Sequence, residues 1–353
     1  MKKLTHNHLS SSQTILARMS GFSLIEMMIS VTIGLFIVSG LIGLLISTSG
    51  STKTNDRTAE LQGNGRYALD HLKGVLREAG YRGYTPQAPE SVGWINPAVT
   101  QECLPTGGAG GFFVKNIRQA VWGKDDANPF TANCIPSASY LRGDVLVTRS
   151  AASTPTLAAS AVANTIYLRS NYVGANLYQS TLPADVNGTN NFELKEYVYY
   201  ISPFTNSIAT TGLATESPQV PALYRASLEP STAICHLYNS SWAAPCMRPE
   251  LVVTGIEHFQ VQFGMSNSDG TTQFFDAGSV NASGDNDVVA TASTPWDKIS
   301  SVRIWLLARN SKAEIGFTDT GTYTMGNIVY GPMSDNFRRQ VFTSVVQLRN
   351  FRN

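Results

Sequence analysis

The sequence predicts an α+β fold in which a long N-terminal helix, with a membrane half and an amphipathic half, precedes a β-rich head. Three observations support this prediction. Residues 22–46 form a predominantly apolar run, residues 61–79 carry apolar side chains at helical spacing, and the last third of the chain contains segments in which apolar and polar residues alternate. Apolar periods of 3.6 and 2 residues are the signatures of a helix and of a strand.

The composition favours an exported protein over a cytosolic enzyme. Of the 353 residues, 14% are charged, well below the roughly 25% of an ordinary soluble domain, and Ser, Thr, Asn and Gly take their place. The 15 Phe, 14 Tyr and 5 Trp residues can fill a hydrophobic core, which argues against disorder. The net charge of +1 argues against binding to nucleic acid by bulk charge, so no nucleic-acid partner is expected.

The first 21 residues carry a positive charge that the rest of the chain lacks. They contain Lys2, Lys3 and Arg18 and no acid, whereas the remaining 332 residues hold 23 basic and 25 acidic side chains. The leader therefore carries +3 and the remainder −2. Because the basic residues precede the apolar run, the positive-inside rule predicts a cytoplasmic N-terminus, a single pass through the membrane and an exported remainder.

The apolar run from Phe22 to Ile46 is 25 residues long. As a helix it spans about 37 Å, enough to cross a hydrocarbon core of about 30 Å. A secretory signal does not explain the run, because it is too long and no small-residue cleavage site follows it. A plain signal anchor explains its length and orientation but not Glu26, since a carboxylate inside a bilayer costs roughly 2.5–3.5 kcal/mol.

The residues around Glu26 form a motif, with GFSLIE at positions 21–26. Together with the basic leader and the apolar run, this motif resembles the class III signal of type IV prepilins. The resemblance implies that a prepilin peptidase cleaves the leader, residues 1–21, between Gly21 and Phe22, and that the new Phe22 amine is N-methylated. It also implies that Glu26 pairs with the Phe22 amine of a neighbouring subunit and sets the axial register, because buried opposite charges each need a partner.

The resemblance further implies that the run 22–46 is a single-pass transmembrane helix of the inner membrane and an assembly helix that contacts other pilins, both minor and major. Gly34, Gly40 and Gly43 lie within it, and no proline does. Two interpretations of these glycines stay open. They can permit close contact between membrane helices, or they can permit local unwinding of the helix.

An amphipathic stalk helix is predicted over residues 47–82. Together with the membrane half it makes one helix, which ends where Gly80 and Gly83 provide stop signals. Gly63 and Gly65 mark positions at which the helix can loosen. The apolar stripe that is expected to pack on the head consists of Leu61, Ala68, Leu69, Leu72, Val75, Leu76 and Ala79.

Residues 83–353 are predicted to form the β-rich head, which is periplasmic before assembly and extracellular after it. Within residues 257–264, the polar residues His258, Gln260 and Gln262 alternate with apolar ones, which predicts a half-buried strand with one polar face. The predicted strands are Asp144–Thr148, Thr165–Arg169, Glu196–Ile201, Leu223–Leu228, Glu257–Gly264, Ser301–Arg309 and Arg339–Leu348.

Segments near both ends of the chain resemble the PilW family of type IV minor pilins. They are GRYALD at 65–70, REAGYRG at 77–83, the last three predicted strands and the closing VQLRN at 346–350. The resemblance implies a type IV pilin-like fold, with the long helix packed on an elaborated antiparallel β-sheet head. Relatives often carry a cysteine after the Gly-Tyr-x-Gly stretch, where this chain has Tyr84, so their disulfide pattern cannot be transferred. The resemblance does not cover residues 85–250.

Four cysteines lie in the exported part of the chain, where disulfide bonds persist. The predicted pairs are Cys103 with Cys134 and Cys235 with Cys246, because sequence neighbours tend to close local loops, although three connectivities are possible. A metal site formed by Cys235, His236 and Cys246 is the alternative. No CxxC pair or further histidine at ligand spacing supports it, so neither a metal nor another cofactor is predicted.

The sequence lacks the GxSxG, HExxH, P-loop and GxGxxG motifs, so a structural rather than an enzymatic role is predicted. The PilW resemblance implies a minor pilin that takes part in priming type IV pilus assembly, supports twitching motility and sits at the pilus tip. Its implied partners are the prepilin peptidase and other pilins, with a tip adhesin as a further candidate. The alternatives are a minor pseudopilin of a type II secretion system, a tip adhesin or uptake pilin, and a membrane-anchored periplasmic enzyme.

Overall fold

The chain divides into two compact units, Met1–Asn55 and Asp56–Asn353. Helix α1, Leu24–Glu78, begins in the first unit and ends in the second. The computed structural model describes residues 21–85, 103, 114, 116–130, 134–179, 181–205, 216–229, 245–267, 269–281 and 295–350.

Helix α1 confirms the prediction of one long N-terminal helix. No proline lies within it, and the helix continues through Gly63 and Gly65 without the predicted loosening. After Glu78 the chain turns, and Gly80 adopts a φ of +78°. This left-handed conformation, which glycine adopts without steric cost, is a common way to end a helix.

One face of α1 is buried within the second unit. The buried positions recur three or four residues apart, as expected for a helix that lays one stripe on a core. Each fully buried aliphatic side chain contributes about 1.5–3 kcal/mol relative to an exposed one, so this stripe is what holds the stalk on the head. The buried residues of α1 are Leu61, Gly65, Ala68, Leu69, Leu72 and Leu76.

The described residues of the head form thirteen strands and a short helix, α2 (Ala277–Asn281). All strand pairings among them are antiparallel. The strands are β1 (Val121–Lys124), β2 (Val145–Thr156), β3 (Ile166–Ser170), β4 (Ala175–Gln179), β5 (Asn190–Ser202), β6 (Ala222–Glu229), β7 (Cys246–Thr254), β8 (Ile256–Ser266), β9 (Thr272–Asp276), β10 (Ile299–Arg309), β11 (Tyr323–Met325), β12 (Ile328–Tyr330) and β13 (Arg339–Gln347).

The larger sheet has seven strands and is organised around β5. The order is β1-β2-β5-β3-β4, and β6 pairs with both β5 and β7. β2 pairs with one side of β5, whereas β3 and β6 pair with the other side, β3 near its start and β6 near its end. The length of β5 therefore allows two neighbours to share one of its edges.

The smaller sheet has four strands in the order β13-β10-β8-β9, and β11 pairs with β12 as a separate hairpin. The two sheets pack through aromatic residues. Trp296 contacts Trp122 of β1 and Phe263 of β8, with ring centroids 5.9 Å and 4.8 Å away. The hydrophobic core is continuous between the sheets and the buried face of α1.

All seven predicted strands are confirmed, but the prediction that β8 is only half-buried is wrong, because its polar face is buried as well. His258 and Gln260 are only 3% and 1% exposed. The β11–β12 hairpin covers this side of β8, and the ring of Tyr330 lies 5.0 Å from that of His258. Alternation within a strand separates its two faces, but it cannot show that a segment much later in the chain covers the polar one.

Candidate functional site

The residues of the predicted processing site lie together at the start of α1. Gly21, Phe22 and Ser23 precede the helix, and the Ser23 carbonyl accepts hydrogen bonds from the backbone N–H groups of Glu26 at 3.0 Å and Met27 at 3.1 Å. Glu26 is therefore in the first helical turn. The side chains of Phe22 and Glu26 are exposed, and the peptide bond between Gly21 and Phe22 lies outside the helix.

The first unit exposes an apolar helical surface. Leu, Ile, Val, Met and Phe side chains from Phe22 to Ile46 are more than half exposed. The helix is long and apolar enough to cross a membrane, and none of its most apolar stretch is buried within the protein. A helix with apolar residues on all sides requires burial in lipid or among other helices, so this segment is suited to either environment.

The two segments on which the PilW resemblance depends meet at the C-terminus of α1. The side-chain amide of Asn350 donates to the carbonyl oxygens of Arg77, Glu78 and Ala79 at 3.3, 3.2 and 3.3 Å. Carbonyls at the end of a helix have no N–H partner in a following turn, so other donors satisfy them. The Glu78 carbonyl also accepts a hydrogen bond from the Tyr81 N–H at 3.0 Å. The closing segment of the chain thus caps the end of the stalk.

Two further contacts fasten the stalk to the head. A Cβ atom at Gly65 would overlap the ring of Phe342 in β13, so only glycine allows the approach seen here. On another side of the helix, His71 Nε2 lies 3.0 Å from the Tyr199 hydroxyl of β5. Burial, followed by the positive charge of Arg225, lowers the pKa of His71, which favours the neutral imidazole in this contact.

A buried charge cluster holds the chain between β12 and β13. The Arg339 side chain is 1% exposed and bonds the carboxylates of Glu257, Asp319 and Asp335. Burial disfavours the charge of Arg339, but the hydrogen bonds to Asp335 and Glu257 outweigh it and raise the pKa of Arg339. The same contact lowers the pKa of Asp335. These groups bind one another, so the cluster is a structural clamp.

The structure contains a disulfide bond between Cys103 and Cys134, whose Cα atoms are 4.9 Å apart. Cys246 is also disulfide-bonded, so it is not a free thiolate for the alternative metal site. Cys235 and His236 lie outside the described residues. Within the part of the chain that the structure describes, no group of three or more His, Cys, Asp or Glu side chains is arranged to hold a metal ion.

Tyr84 stands where relatives often carry a cysteine. Its ring stacks on that of Tyr172, with centroids 5.7 Å apart and planes 12° from parallel, and it meets Phe192 edge-on at 6.0 Å. Tyr84, Tyr172 and Phe192 therefore form an aromatic cluster just beyond the end of α1.

The sequence analysis missed a groove beside β13. It has a volume of about 680 Å³ and is lined by Lys73 and Arg77 of α1 and by residues 344–349. The signal in the sequence was the uncharged run 340–348, which carries a basic residue at each end. That pattern was interpreted only as a strand.

Comparisons with known families agree with these features. Residues 198–350 match the family described as Type IV Pilus-assembly protein W, and residues 16–42 match the prokaryotic N-terminal methylation motif. The chain therefore carries a PilW domain and, near its N-terminus, a prepilin-type methylation motif. Both matches are to structural pilin families and not to enzyme families. They confirm the PilW and prepilin resemblances that the sequence motifs carried, and the structure itself confirms a long N-terminal helix followed by antiparallel sheets.

The PilW domain covers the end of β5 and the strands from β6 to β13, and β1–β4 lie outside it. Among solved structures, the chain is similar to a type IV-like pilin from Thermus thermophilus. The identity is 13%, the match covers 85% of this chain and 97% of that chain, and the TM-score is 0.32. No curated protein matches the chain.

Proposed function

We propose that this PilW-domain pilin is a minor pilin that takes part in priming type IV pilus assembly and sits at the pilus tip. The observation that carries the proposal is the presence, in one chain, of an exposed apolar helix and a head that is larger than its PilW domain. The helix is the part that joins other pilins. The additional strands make the head larger and favour a position at the end of the pilus.

Before assembly, the helix holds the chain in the inner membrane as a single pass. The +3 charge of the leader supports a cytoplasmic N-terminus and a periplasmic head. During assembly, packing against the helices of other minor pilins and the major pilin replaces burial in lipid. The exposed apolar surface from Phe22 to Ile46 suits both environments, and the head then reaches the cell surface.

Processing gives Glu26 its role in this scheme. A prepilin peptidase cleaves between Gly21 and Phe22, and the new Phe22 amine is methylated. The amine is then a cation at the positive end of the helix dipole, which is unfavourable unless an anion is near. Glu26, one turn away, supplies the counter-charge, and pairing with the Phe22 amine of a neighbouring subunit fixes the axial register.

The size of the head supports a position at the tip. In a helical shaft each subunit must fit between identical neighbours, whereas a subunit at the end has none beyond it. β1–β4 extend the larger sheet outside the PilW domain, and a terminal position accommodates them most easily.

Deletion of the gene tests the priming role. We expect few or no surface pili by electron microscopy and loss of twitching, with both restored by the intact gene. Normal pili with failed protein secretion would indicate a type II pseudopilin instead. Normal pili with lost adhesion would indicate an adhesin.

Immunogold labelling of the head tests the position in the pilus. We expect label at pilus ends, in cells where labelling of the major pilin covers the shaft. Label for the head along the whole shaft would refute the tip assignment without affecting the priming role.

A further inference from the structure

β13 is an edge strand whose outer side is open. It pairs with β10, and no other described strand pairs with it. Edge strands of soluble proteins are commonly protected from further pairing by charged residues or proline. Between Arg339 and Arg349 this strand has neither, since residues 340–348 read QVFTSVVQL.

The register shows which backbone groups face the open side. The N–H of Leu348 donates to the carbonyl of Ser300 at 2.9 Å, and the N–H of Asn310 donates to the carbonyl of Arg338 at 3.1 Å. In an antiparallel pair, bonded and non-bonded residues alternate. The even-numbered residues of β13 therefore bond β10, and the N–H and C=O groups of Thr343, Val345 and Gln347 point away from it.

The groove lies along this open edge. Lys73, Arg77 and Arg349 contribute positive charge to its lining, and none of its lining residues is acidic. Lys73 lies 3.2 Å from Asp70, whereas Arg77 and Arg349 form no ion pair with any other described residue. Its volume of about 680 Å³ is within the usual range of ligand-binding clefts.

We propose that this groove binds an extended, acidic segment of another pilus subunit, which adds a strand to β13. Strand addition uses main-chain hydrogen bonds for affinity and alternate side chains for specificity. Here the free groups of Thr343, Val345 and Gln347 would form the ladder. Carboxylates at every second position of the added segment would face Lys73, Arg77 and Arg349.

A second copy of this chain is a poorer occupant of the same edge. Pairing of β13 with β13 of another copy would bring two basic grooves together, and like charges across an interface are unfavourable. The proposal depends on the proposed function only for the source of the segment. Binding to the groove is measurable without pili, so the two can fail separately.

The test uses the full-length protein in detergent micelles and a fluorescent peptide in which Glu and Val alternate. Fluorescence anisotropy measures its affinity, and the same peptide with Lys in place of Glu is the control. We expect the acidic peptide to bind about tenfold or more tightly than the basic one and to weaken as salt is added, because salt screens exposed charges. Equal affinity for both peptides, or binding of neither, would overturn the proposal.

Two variants test the two parts of the groove. R77E/R349E reverses the charge, and Arg248→Glu, a change at an exposed residue of β7, is its control. Val345→Pro removes an N–H on the open side without removing a bond to β10, and Val345→Thr keeps that N–H.

We expect R77E/R349E and Val345→Pro each to reduce affinity for the acidic peptide about tenfold or more, and the two controls to bind normally. R77E/R349E leaves the backbone of β13 intact, so its affinity for the acidic peptide still tests the proposal if Val345→Pro does not fold. Unchanged binding by R77E/R349E would refute the proposal. So would self-association of the protein that Val345→Pro abolishes, because the occupant would then be a second copy.

Discussion

Gly65 of α1 lies against the ring of Phe342 in β13, so close that a side chain at position 65 would overlap the ring. The contact joins the stalk to the last strand of the head, two elements far apart in sequence. Glycine is a poor helix former, costing roughly 1 kcal/mol relative to alanine. Its presence in the middle of α1 is explained by this approach.

Gly65→Ala is therefore expected to destabilise the head, although alanine favours helix formation. Overpacking of this kind costs about 1–3 kcal/mol. Gly63→Ala is the matched control, because the position has open space around it, and it should gain roughly 0.5–1 kcal/mol. Urea unfolding of the full-length protein in detergent, followed by tryptophan fluorescence, measures both. Equal effects of the two substitutions would contradict the contact.

Asn350→Asp should destabilise the end of α1 more than Asn350→Ala. Alanine removes the amide that donates to the carbonyls of Arg77, Glu78 and Ala79, at a cost of about 1–2 kcal/mol. Aspartate also places a negative charge at the negative end of the helix dipole. The same unfolding measurement ranks the variants, and an aspartate variant as stable as the alanine variant would show that capping charge is unimportant here.

Glu196→Gln should be among the most destabilising single substitutions in the larger sheet. Glu196 and Arg149 form an ion pair at 3.0 Å with side chains 0% and 1% exposed, and loss of one partner leaves a buried charge, at about 3–5 kcal/mol. Glu250→Gln is the control. Its pair with Arg225 is 2.9 Å long but about a third exposed, so its loss should cost less than about 1 kcal/mol. A small effect at position 196 would mean that water reaches the pair.

His258 should make the protein less stable in mild acid. Burial is the main reason that its pKa falls to about 4; nearby Arg142 lowers the pKa further, whereas Asp126 and Glu257 oppose the shift. Because the unfolded pKa is about 6.5, the unfolded state binds the proton more readily. The stabilisation is complete above a pH of about 6.5 and is lost as the pH falls to about 4.

The size of this loss follows from the shift, which corresponds to about 3 kcal/mol. His258→Gln should remove this part of the pH dependence. His71 and Asp144, whose pKa values are also shifted, remain in both proteins, so the difference between the two stability curves isolates His258. Parallel curves between pH 6.5 and 4 would refute the prediction.

Glu26→Gln should leave processing intact but prevent entry into pili. The amide keeps the size of the side chain and loses the charge that we propose pairs with the Phe22 amine. Mass spectrometry of the membrane-bound protein should show leader removal and one added methyl group, and sheared pili should lack the variant. Gly50→Ala, which alters an exposed glycine of the same helix outside the apolar run, is the control. A Glu26→Gln protein present in pili at the normal level would refute the register role.

The sequence predicted where helices and strands lie better than it predicted which of their faces are buried. The period of apolar residues in α1 and the alternation in β8, β10 and β13 were sufficient to place these elements, because both patterns follow from local backbone geometry. The strands β1, β4, β9, β11 and β12 have only three to five residues and were missed because so few residues do not establish a period. The nine residues of β7 were missed because Pro249 and its charged neighbours Arg248 and Glu250 interrupt the alternation. The exposed face predicted for His258 and Gln260 was wrong, because the β11–β12 hairpin that covers it is not adjacent in sequence.

Among the candidate sites, the linear signal was predictable from the sequence, whereas the sites that combine distant residues were not. Gly21, Phe22 and Glu26 were predicted from the sequence alone, because a processing signal is a short linear segment. The cap formed by Asn350, the contact of Gly65 with Phe342 and the groove beside β13 each combine residues more than two hundred positions apart.

By itself, the sequence indicated a prepilin-type signal and an N-terminal helix that can span a membrane, because a linear motif and an apolar run need no folding to be recognised. The tertiary structure decided how the stalk is capped, which faces are buried and which strand edge is left open. These depend on long-range packing and hydrogen bonding, which form only when distant segments meet.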